Sequence, residues 1–207
     1  MASTIIHMAI AKELENKLEI ENKKDYYLGS IAPDIAKQIG LDKNTSHFSN
    51  NMRNGVPDIN LFVKRYSTFK YNSFDLGYFI HLYTDKIWEK EIINKIVHEN
   101  SIKLLDGTII NTTEEEIINL VYSDYTDLNK RIIDEYNLDL SLFYEEFQIP
   151  NSKIKEIPLN KLDILINKMG IIIENSKQKK AYTFDIHIIK NFIEDCSKQI
   201  LEEIEKY

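Results

Sequence analysis

The feature that most restricts this chain is an apolar run from Phe74 to Glu99 with His81 and Asp85 set in its middle. Leu76, Phe79, Ile80, Tyr83, Ile87, Ile92 and Ile96 spread a wide apolar face around a helical period, so the run reads as one long buried helix. Within it, the stretch HLYTD carries His81 and Asp85 four residues apart, a spacing that projects both side chains from one helix face. A carboxylate in such a helix is costly to bury without a partner. Imidazole and carboxylate at this spacing are good donors for zinc and similar divalent ions. Taken alone, the pair is more simply explained by mutual hydrogen bonding or by capping of neighbours.

The rest of the chain also reads as helix. Only 6 Gly and 4 Pro occur among 207 residues, a scarcity of turn formers that argues against an all-β fold. Thr4 is placed to cap a first helix to about Leu18, with Ile6, Ile10 and Leu14 recurring every four residues. A second helix is expected from Lys24 into GSIAPD, where Pro33 forces a break or a new first turn. Residues 41–56 read as a polar loop, and Pro57 then opens a helix through Phe69. Residues 100–112 carry little helical pattern, and LDGTIIN suits a short hairpin. TTEEE at 112–116 is a capping-box signature for a helix to about Tyr136. A short helix around Leu140 to Phe147, a loop over 148–158 and helices near 159–174 and 183–206 complete the reading. The expectation is an all-α fold, a single multi-helix domain over residues 1–207 with no internal repeat.

Composition excludes several functions. The chain is 43% hydrophobic, a globular composition with enough length for a sizeable core. Its formal charge is -7, and the longest basic cluster is Lys177 to Lys180, so no stripe for duplex nucleic acid is present. A bound cation would still draw phosphate locally, which leaves a small phosphoester as a substrate. Cys196 is the only cysteine, so there is neither a disulfide framework nor a thiolate metal site. No apolar run reaches a membrane-spanning length, and the first residues lack the pattern of a leader, so the expectation is a cytoplasmic protein without integral membrane association. There is no HD dipeptide, H-E-x-x-H, G-x-S-x-G or phosphate-binding loop. The oligomeric state is left open.

Three further residues bear on His81 and Asp85. His7 is in phase with Ile10 and Leu14 on the apolar side of the first helix, Asp34 follows Pro33 in GSIAPDIA, and His47 lies in TSHF. Singly they read as a core histidine, a capping aspartate and a loop histidine. Their order reads ST-IIHMAIA, then YLGSIAPDI, then TSHF, then FDLGYFIHLYTDKIW. This series resembles the zinc-dependent phospholipase C family, whose fold is shared by single-strand-specific zinc nucleases. In that family a His near the N-terminus precedes an Asp in a G-x-x-x-PD stretch, then a His before an aromatic, then a long helix with H-x-x-x-D. The blocks cover roughly residues 3–91 here.

The resemblance implies that Asp34, His47, His81 and Asp85 are metal ligands, with His7 among them, and that the five converge on one pocket. It makes Asp85 a candidate bridge between two metals and Asp34 a candidate to hold or activate a water, so these two are the candidate catalytic residues. It also marks departures. The secreted members use an N-terminal Trp, where this chain has Met1 and Ala2. They place a His ten residues after the first residue of H-x-x-x-D, where this chain has Glu91, a possible oxygen ligand. Their distal H-x-x-x-E or H-x-x-x-D pair has no counterpart, and Asp124 and Asp127 stand as substitutes or as solvated helix residues. The implied cofactor is one or two divalent ions, zinc first, with manganese or iron admitted by oxygen ligands. The implied function is a metal-dependent hydrolase of a phosphoester; the alternative is a non-catalytic or degenerate metal-binding helical module.

Overall fold

A computed structural model describes residues 1–49, 55–174 and 182–207. The chain runs through α1 (Thr4–Leu14), α2 (Lys23–Ile31), a 3-10 turn (Ala32–Asp34), α3 (Ile35–Gln38), α4 (Lys43–Ser46), α5 (Ile59–Arg65), a 3-10 turn (Phe69–Tyr71) and α6 (Ser73–Trp88). A π-helical turn (Glu89–Ile93) and α7 (Asn94–Ile96) prolong α6 into a small sheet of β1 (Val97–His98), β2 (Ser101–Lys103) and β3 (Ile109–Asn111). Then follow α8 (Glu114–Tyr136), 3-10 turns at Ser141–Phe143 and Leu159–Lys161, α9 (Leu162–Glu174) and α10 (Ile186–Ile204). The fold is mostly helical, as the scarcity of turn formers implies.

Local chemistry sets the element ends. Ser3, rather than Thr4, caps α1, its hydroxyl accepting from the Ile6 N–H. That helix stops at Leu14, where the Lys17 N–H turns back onto the Leu14 carbonyl. The expected loop over 41–56 contains α4, because the Asp42 carboxylate accepts from the Asn44 N–H and starts a helical turn; residues 50–54 lie outside the described residues. Pro57 does not open α5; Asp58 caps it, accepting from the Leu61 N–H, and it ends at Arg65, short of Phe69. The stretch at 140–147 forms only a 3-10 turn after Asp139, whose carboxylate accepts from the Ser141 N–H. The last helix starts at Ile186 behind an Asp185 cap.

The capping box at Thr113 and Glu116 forms, and Asn137 closes α8 in the left-handed conformation. LDGTIIN makes the β2–β3 hairpin, pairing Ile102 with Ile110 and Lys103 with Ile109. Gly107 supplies the positive φ of 87° at its turn. Among the described residues no helix is long and apolar enough to cross a membrane.

Two helices lie at the centre. In α1, 9 of 11 residues are buried, and in α6, 14 of 16, so both are enclosed on all sides rather than along a stripe. By contrast α10 buries one face, through Ile189, Phe192, Ile193, Cys196 and Ile200. Helices α2 and α6 approach closely, and glycine makes it possible. A Cβ on Gly77 would lie 2.1 Å from the Tyr26 carbonyl oxygen, and one on Gly29 would lie 2.1 Å from that of Phe74. Only hydrogen at both positions lets the two backbones meet.

Candidate metal centre

The close contact of α2 and α6 brings the Ser30 carbonyl within 2.8 Å of His81 Nδ1. A carbonyl can only accept, so Nδ1 carries the proton and donates it, and Nε2 is left with a bare lone pair. His47 arrives at the end of α4 with its Nδ1 3.2 Å from the Lys43 carbonyl and 2.8 Å from Ser46 Oγ; where Nδ1 donates to that carbonyl, Nε2 is bare here too. The two Nε2 atoms then face each other at 3.2 Å. Two lone pairs at that distance repel unless a cation lies between or beside them.

Asp85, one turn beyond His81 on α6, stands against this pair. Its Oδ2 lies 3.4 Å from His47 Nε2 and 3.6 Å from His81 Nε2. Its Oδ1 accepts from the Ala2 N–H at 2.8 Å and lies 3.4 Å from His7 Nε2. His7, on α1, stacks on His81 with ring centroids 3.8 Å apart. Asp34, at the end of the 3-10 turn that Pro33 starts, places Oδ1 3.9 Å from His47 Nε2. The three histidines and Asp85 are buried, whereas the Asp34 side chain keeps 14% of its surface exposed and forms the open edge.

A divalent ion suits this donor set. His7, Asp34 and His81 offer ligand atoms within 4.8 Å of one another, as do His47, His81 and Asp85. Both ring nitrogens of His7 and Oδ2 of Asp85 are buried without a hydrogen bond, an arrangement that costs free energy unless something else engages them. A proton does not resolve the conflict at His81, since burial and the neighbouring His7 push its imidazolium well below the usual range. Burial opposes ionisation of Asp85, but the His7 and His47 rings outweigh it and hold the carboxyl well below its ordinary value. A neutral His81 imidazole beside an ionised Asp85 suits a zinc ion.

The structure thus brings His7, Asp34, His47, His81 and Asp85 together and leaves Glu91 out. The π-helical turn carries Glu91 to the surface, where it pairs with Lys90 at 3.0 Å and Lys95 at 2.8 Å. Asp124 is committed elsewhere, accepting from the Tyr182 and Thr183 N–H groups and from Thr183 Oγ1. Neither it nor the buried Asp127 belongs to the donor groups.

Sequence reasoning missed two charged neighbours. Burial pulls the half-buried Lys43 ammonium below its ordinary value, while Asp85 and Asp34 pull it back up. Burial pushes the Glu89 carboxyl up, Asp85 beside it adds to the rise, and Lys43 opposes it. Glu89 repeats the spacing of four from His81 through Asp85, a signal that was present in the sequence. Lys43 lies four before His47, but in a stretch that reads as loop.

Searches among curated proteins and among solved structures find no match. The family described as zinc dependent phospholipase C matches residues 5–156, a span that holds all five clustered residues. That match covers more than half of the chain, and the chain belongs to the zinc-dependent phospholipase C family.

Proposed function

We propose that this chain is a metal-dependent hydrolase of a small phosphoester, with His7, Asp34, His47, His81 and Asp85 holding one or two divalent ions. The observation that carries this reading is the pair of bare Nε2 atoms 3.2 Å apart beside an ionised, buried Asp85. Family membership supports a phospholipase C-like hydrolase and a zinc cofactor. When bound, such an ion polarises a phosphoryl oxygen and lowers the pKa of a water.

The chain's own residues supply the rest. The Ser30 and Lys43 carbonyls fix the His81 and His47 rings with Nε2 toward the site. Asp85 holds negative charge against three imidazoles. Asp34, at the exposed edge, is the group a water can reach: its carboxylate oxygen accepts the proton as that water attacks phosphorus, the P–O bond to the alcohol breaks, and the alcohol oxygen leaves with the proton that Asp34 returns. The net charge of -7 and the scattered lysines fit a small substrate better than duplex nucleic acid; the cluster Lys177 to Lys180 lies outside the described residues.

The test is a panel of phosphomonoesters, phosphodiesters and phospholipids, each with zinc, manganese and iron. Turnover of a soluble phosphoester, lowered about 100-fold or more in Asp34→Asn, is the expected result. A second reading, a metal-binding module without turnover, is favoured by the surface placement of Glu91. Bound metal with no turnover for any pairing would establish it instead.

A further inference from the structure

A cavity of about 210 Å³ adjoins the metal centre at Asp34. It is smaller than the roughly 300–1,000 Å³ of sites for drug-sized ligands, so it suits a group of a few heavy atoms rather than an acyl chain. Its walls are mostly apolar, with hydroxyls and amides such as those of Ser3, Gln38 and Asn129 set among them; Lys37 is a side-chain cation beside the N-terminal Met1, and Asp34 is the one carboxylate among the described lining residues.

Tyr122 and Tyr125 also line it, and an aromatic wall is what a quaternary ammonium group requires. That wall is already taken. The Lys37 ammonium sits 4.4 Å from the centre of the Tyr122 ring and donates to its hydroxyl at 2.8 Å. Tyr125 meets Tyr122 edge-on, packs its ring on Phe184 and donates its hydroxyl to the Met1 carbonyl. A second cation entering here would meet Lys37 at short range, with Asp34 as the one acid among the described lining residues to balance it.

The geometry points to Lys37 as the residue that sets headgroup specificity: the cavity takes a phosphoester whose group beyond the phosphate is an uncharged polyol, and turns away quaternary ammonium. Lys37 donates to a polyol hydroxyl or to a phosphate oxygen, and the amide and hydroxyl side chains among the apolar lining are placed to meet the remaining hydroxyls. This rests on the phosphoester reading above, but it concerns which ligand binds and not whether it is cleaved.

The probes are glycerol 3-phosphate and phosphocholine, which share a phosphate monoester and differ in the group beyond it. Calorimetric titration of each into the protein as purified, with its metal content measured, gives their relative affinities. The parent protein is expected to bind glycerol 3-phosphate about ten-fold tighter or more. Lys37→Ala frees the Tyr122 face and is expected to shrink that ratio to within about three-fold. Lys37 is exposed, so the variant is expected to fold, which its melting temperature checks. Equal or tighter phosphocholine binding by the parent would overturn the assignment. So would an unchanged ratio in Lys37→Ala, or no binding of either probe at millimolar concentration. Hydrolysis of bis(4-nitrophenyl) phosphate, measured in parallel, reports on the catalytic reading separately: its absence beside a preserved binding preference removes the hydrolase and leaves the cavity's specificity in place.

Discussion

Asp85 and Asp124 are both carboxylates buried to within 2% of full burial, each on a long helix, yet they do opposite work. Asp124 is satisfied by the chain itself: the Tyr182 and Thr183 N–H groups and the Thr183 hydroxyl tie α8 to the segment before α10. Asp85 receives one backbone N–H, and its other oxygen is surrounded by imidazole nitrogens at 3.4 and 3.6 Å without a hydrogen bond. Burial of an acid therefore does not mark a site. What marks it is a buried acid whose partners are themselves groups in want of a cation. The N-terminal part of the chain collects such groups, while among the described residues Asp124 in the later part acts as a staple.

The largest effect expected from this contrast is at Asp85. A ligand that binds only the folded form at about a thousand times its Kd adds roughly 4 kcal/mol. Chelation of the parent protein should lower its stability by about that amount. His81→Ala and Asp85→Asn should lose metal, and chelator should then change their melting temperature little. The metal-free parent should also weaken in acid. Because the folded state holds the His81 pKa well below its ordinary 6.5, an unfolded chain takes up a proton that the folded one refuses. Stability is thus full above pH 6.5 and falls as pH drops below it, which a pH series of melting curves checks.

Next comes the helix contact that orients His81. Gly77→Ala drives a methyl into the Tyr26 carbonyl, and separating α2 from α6 should cost about 3 kcal/mol and weaken metal binding together. Urea melts with metal analysis would show both; stability lost with metal affinity intact would separate the contact from the site. Asp124→Ala should cost about 2 kcal/mol by leaving buried N–H groups unpaired, with metal content unchanged. Metal loss in that variant would break the distinction between the two acids. The smallest effect is at the far end of α8, where Thr113→Ala removes a cap worth about 1 kcal/mol and leaves metal and turnover alone.

The sequence order of His7, Asp34, His47, His81 and Asp85 was enough to name the residues that the fold brings together, because each sits in a short block with its own helical or turn context. Glu91 failed for a physical reason. It was named because the family resemblance implies a ligand at that position, but here it lies in the π-helical turn at Glu89–Ile93 and pairs with Lys90 and Lys95. The partners that set the histidine tautomers were not legible either. They are the Ser30 and Lys43 carbonyls, and a backbone carbonyl leaves no mark in a sequence. Gly29 and Gly77 are the nearest thing to a trace, since two glycines on buried helix faces signal a close approach without saying what it serves. Asp124 could not be told from a ligand because its partners, at 182 and 183, lie almost sixty residues away.

The most direct measurement is elemental analysis of the parent protein, His81→Ala and Asp85→Asn, each purified without a metal-binding tag. Stoichiometric zinc or another divalent ion in the parent, lost in both variants and kept in Asp124→Ala, is the predicted result. A parent protein that is well folded, free of metal and indifferent to chelator and added zinc would contradict it.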